Sequence, residues 1–200
     1  MDKEQAPHVE GELSLREVQL ASLEILKLID EICQREGIRY WLTYGSLLGA
    51  VRHQGFIPWD DDLDIAMPRP DYERFLTYFA NHLGELRPLV AVHTTRERKL
   101  PFLITRVSNT AYRMIGEYGD GIPELGTFVD VYPIDGCGDD RDGAFALRER
   151  CNENVMRYLQ AEDFSYYNRG NNGVKRALKK VHASMLGNSD RYMRELSDAI

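Results

Sequence analysis

The sequence predicts an α/β domain, a mixed sheet with flanking helices, followed by a helical C-terminal region. Three observations predict it. A long helical apolar period opens the chain, and short β-branched and aromatic runs alternate with helical stretches through its middle. From Ala144 onward the pattern turns helical. Two hundred residues, 43% of them hydrophobic and 28% charged, suit one globular core with an appended region.

Residues 1–12 read as a flexible leader. Ser14 and Glu17 have the spacing of a capping box, and Gly37 suits a helix C-terminus. Between them Leu15, Val18, Leu23, Leu26, Ile29 and Ile32 recur at helical spacing, so a long amphipathic helix is expected. Residues 38–44 are rich in β-branched and aromatic types and read as a strand. Gly45-Ser46 turns the chain into a short helix over 47–53, and Gly55 and Pro58 mark a loop. A second strand, 62–67, is closed by Pro68 and Pro70, and a helix over 71–82 buries Tyr72, Phe75, Leu76 and Phe79. Further strands are expected at 89–94, 102–107, 112–116 and 127–131, and the helical region is broken by Gly/Asn at 170–173. The core is thus placed at 13–140 and the helical region at 141–200.

A net charge of −7 argues against nucleic acid as a partner. Cys33, Cys137 and Cys151 are odd in number and lack CxxC spacing, which disfavours a disulfide framework or zinc site and suits a reducing cytoplasm. The polar, acidic start does not resemble a signal peptide, and no apolar run approaches the roughly 18 residues of a membrane span. The expected location is the cytoplasm, with weak association at the inner face of the membrane left open. Nothing in the sequence fixes an oligomeric state.

The chemistry concentrates at Asp60-Asp61-Asp62-Leu63-Asp64. Four carboxylates in five positions repel one another unless a cation neutralises them, and hard oxygen donors favour Mg²⁺, Mn²⁺ or Ca²⁺. On a strand, Asp62 and Asp64 would share a face with their Cα atoms about 7 Å apart. An EF-hand reading fails, because Ile65 stands at loop position 6 and Asp71 at position 12. Upstream, Gly45 and Ser46 at a helix start offer backbone N–H groups and a hydroxyl suited to phosphate. Asp130 is a charged residue amid Phe128, Val129 and Val131. On a strand roughly 5 Å from 62–67 it would supply a third carboxylate, enough for two ions about 4 Å apart. Arg52 and His53 can reach a phosphate or pair with the Asp run, and Arg106, alternating with apolar neighbours, can point to the site or to solvent. Asp135 reads as a turn residue, and Trp41, Tyr44 and Trp59 as core.

The stretch Tyr44-Gly45-Ser46-Leu47-Leu48-Gly49-Ala50-Val51-Arg52-His53, followed by Gly55-Phe56-Ile57-Pro58-Trp59-Asp60-Asp61-Asp62-Leu63-Asp64-Ile65, resembles the signature of the LicD family. Asp71-Tyr72-Glu73 and Asp130-Val131-Tyr132-Pro133-Ile134-Asp135 are similar to the same pattern. The resemblance covers roughly residues 20 to 137 and implies a nucleotidyltransferase-type mixed sheet, shared with the fukutin group. It implies transfer of a phosphorylated head group, in the best-known case phosphocholine, from a CDP-linked donor. The acceptor would be a glycan hydroxyl of lipopolysaccharide or teichoic acid. On that reading Gly45, Ser46, Arg52, His53 and Arg106 serve the donor phosphates. Asp60, Asp62, Asp64 and Asp130 hold two Mg²⁺ or Mn²⁺ ions, with Asp62, Asp64 and Asp130 catalytic. The family's later Tyr-Gly-Asp-like motif is not found after residue 140, and Tyr118-Gly119-Asp120 lies too early and reads as a turn. This reads either as a shortened chain or as a divergent member. The alternatives are a nucleotidyltransferase acting on a nucleoside triphosphate, a metal-dependent glycosyltransferase, and a non-catalytic metal- and nucleotide-binding protein.

Overall fold

A computed structural model describes residues 11–95, 98–115, 122–161 and 194. Most of the expected leader, Tyr118-Gly119-Asp120 and the break at 170–173 lie outside these residues. The chain divides into two compact units, Met1–Thr94 with Phe102–Ile134, and Thr95–Pro101 with Asp135–Ile200.

The first unit opens with α1 (Leu15–Glu36), started by the expected capping box and stopped by Gly37 in the left-handed region at φ 62°. Its most buried line runs through Gln19, Ser22, Ile25, Ile29, Ile32 and Cys33, while Leu15 is exposed. Two polar residues therefore sit where the apolar period placed leucine and valine. Next come β1 (Trp41–Leu42), α2 (Tyr44–His53), β2 (Asp64–Pro68), α3 (Arg69–Asn81) and the single turn α4 (Leu83–Leu86). Strands β3 (Leu89–Val92), β4 (Thr105–Asn109) and β5 (Thr127–Ile134) complete a five-stranded mixed sheet. The strand order is β1-β2-β5-β4-β3; β2 and β5 are parallel and the other neighbours antiparallel.

Strand alternation divides the labour of the two sheet faces. Ile65 and Met67 of β2, Val107 of β4, and Val129 and Val131 of β5 join Ile25, Ile29 and Ile32 of α1 and Tyr72, Phe75 and Phe79 of α3 in one core. Asp64, Arg106 and Asp130, each next in sequence to one of these core residues, belong to the opposite face. Fixing α3 requires charge as well. Buried Asp71 accepts from Arg39 Nε at 2.7 Å and Arg74 Nη1 at 3.1 Å, bonds that hold its carboxyl below the usual range.

Several expected boundaries are corrected. The strand over 38–44 shrinks to Trp41–Leu42. Ile38 N bonds Cys33 O, Tyr40 Oη donates to Asp30, and Tyr44 has φ 46°, a conformation no strand accepts. Tyr44 starts α2, so Gly45 and Ser46 lie inside its first turn instead of forming a separate turn. Strand β2 begins at Asp64, leaving Asp62 in the preceding loop. The strand expected at 102–107 is displaced to Thr105–Asn109, because Phe102 O is taken by Thr94 Oγ1. No strand forms over 112–115. Tyr112 N bonds back to Asn109 O, and Gly126 packs so tightly there that an added Cβ would lie 2.0 Å from Asn109 O. Trp41, Tyr44 and Trp59 are exposed, not core.

In the second unit α5 (Arg141–Ala161) begins three residues earlier than its apolar pattern suggests. It buries Asn154, Tyr158 and Leu159, and Tyr158 Oη donates to Leu100 O at 2.9 Å. Among the described residues no helix is long and apolar enough to cross a membrane.

Candidate functional site

Register brings the predicted carboxylates together. Asp64 of β2 is the partner of Asp130 on β5, and Asp130 is the partner of Arg106 on β4. Directly paired residues share a face, so one row across the sheet reads carboxylate, carboxylate, guanidinium. Asp64 is fixed through its backbone: its N–H donates to Ser46 Oγ at 2.7 Å, and its carbonyl accepts from Thr43 N at 3.1 Å. The first turn of α2 is thereby tied to the start of β2. Its N–H groups at Tyr44, Gly45 and Ser46 have no acceptor within the helix itself.

The loop between α2 and β2 delivers Asp60, Asp61 and Asp62, whose ligand oxygens lie within 4.8 Å of one another. Asp60 packs its carboxylate against Gly45, where a Cβ would meet Oδ2 at 2.5 Å. Gly49 has the stronger requirement. A Cβ there would lie 2.6 Å from Gly55 O and 3.0 Å from Ile57 N, both backbone atoms that cannot swing aside. We expect Gly49→Ala to destabilise the fold by about 1–3 kcal/mol, read by urea unfolding, the range for overpacking a tight site. An unchanged midpoint would show that the loop yields freely.

Electrostatics mark the cluster as short of positive charge. Burial, then the carboxylates of Asp62, Asp130 and Asp60, push Asp64 up to about 7, against an opposing hydrogen bond from Tyr132. Burial and the neighbours Asp60 and Asp61 also raise Asp62. Burial raises Asp130 to about 6, although Arg106 opposes the rise. Among the described residues the group whose ligand oxygens converge within 4.8 Å is Asp60, Asp61 and Asp62, and hard carboxylate oxygens of this kind suit Mg²⁺ or Mn²⁺.

These shifts have a sign. A carboxyl raised above its unfolded value of about 4 binds its proton more tightly when folded. Metal-free protein should therefore lose stability as pH rises from about 4 to about 7. Millimolar Mg²⁺ or Mn²⁺ at pH 8 should restore several degrees of melting temperature. A melting temperature that rises steadily to pH 7 in EDTA would contradict the assignment.

Asp62, Asp130 and Asp60 act electrostatically on Asp64, while Gly45 lies against Asp60, Ser46 bonds Asp64 and Arg106 bonds Asp130; Arg52 and His53 stand apart. The latter two are exposed in the last turn of α2, with His53 edge-on to Trp59, and no ion pair joins them to the Asp run among the described residues. Arg106 is on the site face with its guanidinium directed at Asp130, Nε to Oδ1 at 2.9 Å and Nη2 to Oδ2 at 3.5 Å. The Phe102 and Phe128 rings lie 4.6 and 4.3 Å from it. Sequence reasoning missed these two rings, because their role depends on register. It also missed Tyr132, which packs edge-on against Tyr44 at 5.1 Å beside Asp64. Gln19 escaped as well, although a polar residue on a buried helical line was a visible signal. Asp135 lies just beyond the end of β5.

Residues 37–118 match the family model described as LicD/FKTN/FKRP, nucleotidyltransferase domain. The chain is 53% identical over 64 residues to the lipopolysaccharide cholinephosphotransferase LicD of Haemophilus influenzae, a stretch covering 32% of this chain and 24% of that protein. It is 46% identical over 44 residues to the human ribitol 5-phosphate transferase FKRP, covering 22% of this chain and 9% of that protein. The matched stretch thus spans a quarter or less of the length of these relatives. The stretch that carries Gly45, Ser46 and the Asp60–Asp64 run is thus similar to the nucleotidyltransferase domain of the LicD family.

Proposed function

We propose that this domain catalyses metal-dependent transfer of a phosphorylated head group, phosphocholine in the first instance, from a CDP-linked donor to a glycan hydroxyl. The observation that carries the reading is the row Asp64–Asp130–Arg106 beside Asp62, on the sheet face opposite the core. The relatives' names supply the reaction class: one transfers choline phosphate to lipopolysaccharide, the other ribitol 5-phosphate. Free Cys33, Cys137 and Cys151 suit a cytoplasmic setting.

Asp62 and Asp64, with Asp60 and Asp130 beside them, would hold Mg²⁺ or Mn²⁺, up to two ions. Such an ion, when bound, neutralises phosphoryl oxygens and makes an attacking hydroxyl more acidic. The chain's own groups do the rest. The first-turn N–H groups at Gly45 and Ser46 receive donor phosphate oxygens. Asp130, kept ionised by Arg106, takes the acceptor's proton, and a value near 6 suits a base working at neutral pH. The freed oxygen attacks the phosphorus bearing the head group, and the bond from that phosphorus to CMP breaks, so CMP leaves with the bonding pair. Positioning and fixed charge provide most of the acceleration.

The experiment is release of CMP from CDP-choline and from a CDP-linked polyol, with Mg²⁺ or EDTA, in the presence of a glycan acceptor. Metal-dependent release from one of them, lost in Asp62→Ala, supports the reading and names the donor. Tight donor binding without release would favour a non-catalytic binding protein.

A further inference from the structure

We propose that Gln19 of α1 is a positioning residue for the carboxylate cluster, acting through the loop that carries Asp60, Asp61 and Asp62. Gln19 is 4% exposed, on the line of α1 that otherwise packs Ile25, Ile29 and Ile32 into the core. Its side-chain Nε2 donates to Asp60 O at 2.8 Å and to Ile57 O at 3.4 Å. Its Oε1 accepts from Arg16 Nη1 at 3.1 Å, which turns the NH₂ end toward the loop. The loop closes on the same point, because Asp60 N donates to Ile57 O at 3.0 Å. One amide therefore ties the carbonyls at both ends of Ile57–Asp60 to a rigid 22-residue helix.

Gln19 donates to backbone carbonyls and not to the carboxylate groups, so its influence is geometric. Buried loop carbonyls need a donor, and a glutamine supplies two hydrogens from one position. Removing it lets the backbone at Asp60 relax, and ligand oxygens that must converge within a few tenths of an ångström spread apart. Glutamate at the same position would face Asp60 O with an acceptor and add a negative charge.

This inference rests on the reading of the Asp run as a cation site, and the test separates the two. Mn²⁺ alone is titrated calorimetrically into the full chain, well below its melting temperature. The variants are Gln19→Met, Gln19→Glu, and Ile25→Val as a control for lost core stability. Gln19→Met is expected to weaken Mn²⁺ about tenfold, the scale of two lost hydrogen bonds, and Gln19→Glu at least as much. Ile25→Val should lower the melting temperature and leave Mn²⁺ affinity within about twofold. A folded Gln19→Met that binds Mn²⁺ as the wild type does overturns the inference and leaves the cation site standing. A wild type that does not bind Mn²⁺ overturns the cation site itself. If Gln19→Met does not fold, Arg16→Ala removes the orienting bond from an exposed position. It is expected to weaken Mn²⁺ about threefold, and unchanged affinity there overturns the inference as well.

Discussion

Replacing Asp64 by alanine should lower turnover by about 10³-fold or more, the upper range for loss of one preorganised electrostatic contact. Asp64 is 6% exposed, sits between Asp62 and Asp130 in the field of both, and is locked in place by Ser46 and Thr43. The fold should survive. Asp64 is not part of the apolar core, and its carboxyl is raised to about 7 by surroundings that oppose its ionisation. Metal-free Asp64→Ala at pH 8 should accordingly melt no lower than wild type, and Mg²⁺ should no longer raise its melting temperature. Turnover near the wild-type rate would remove Asp64 from the catalytic assignment.

Arg106→Ala should be the most destabilising single change at the site, by roughly 3–5 kcal/mol, because it strands a buried carboxylate. The Asp130 side chain is 6% exposed and that of Arg106 13%. Two N–H donors reach the carboxylate, and two phenyl rings flank the guanidinium, so lysine cannot replace it in kind. The double change Arg106→Leu with Asp130→Leu removes both charges and should recover most of the stability while abolishing turnover. Chemical denaturation of the wild type and the two variants measures this. Arg106→Ala unfolding within about 1 kcal/mol of wild type would mean that the pair contributes as little as a surface ion pair.

Features with local physical signals were legible in the sequence. The capping box at Ser14 and Glu17 and the left-handed Gly37 fix both ends of α1 from neighbouring residues alone. The juxtaposition of Asp64 and Asp130 was legible because an aspartate in an apolar strand is costly unless it faces other polar groups. What failed depended on contacts distant in sequence. Residues 38–40 have strand composition, yet Tyr40 bonds back to α1 and Arg39 reaches across to Asp71. Ahead of residues 112–115 the chain turns at 109–112, where Tyr112 N bonds Asn109 O beside the closely packed Gly126. Aromatic composition also misplaced Trp59 in the core, where it is 77% exposed beside the Asp run. Gln19 was hidden by reading α1 for apolar residues alone.

The nucleotide product reports most directly which bond breaks in the donor. Incubation with a CDP-linked donor, Mg²⁺ and a glycan acceptor should give CMP in equal amount to acceptor heavier by the phosphorylated head group, and neither product with Asp62→Ala. An acceptor carrying a nucleotide, with pyrophosphate released from a nucleoside triphosphate, would contradict the account and make the chain a nucleotidyltransferase in activity.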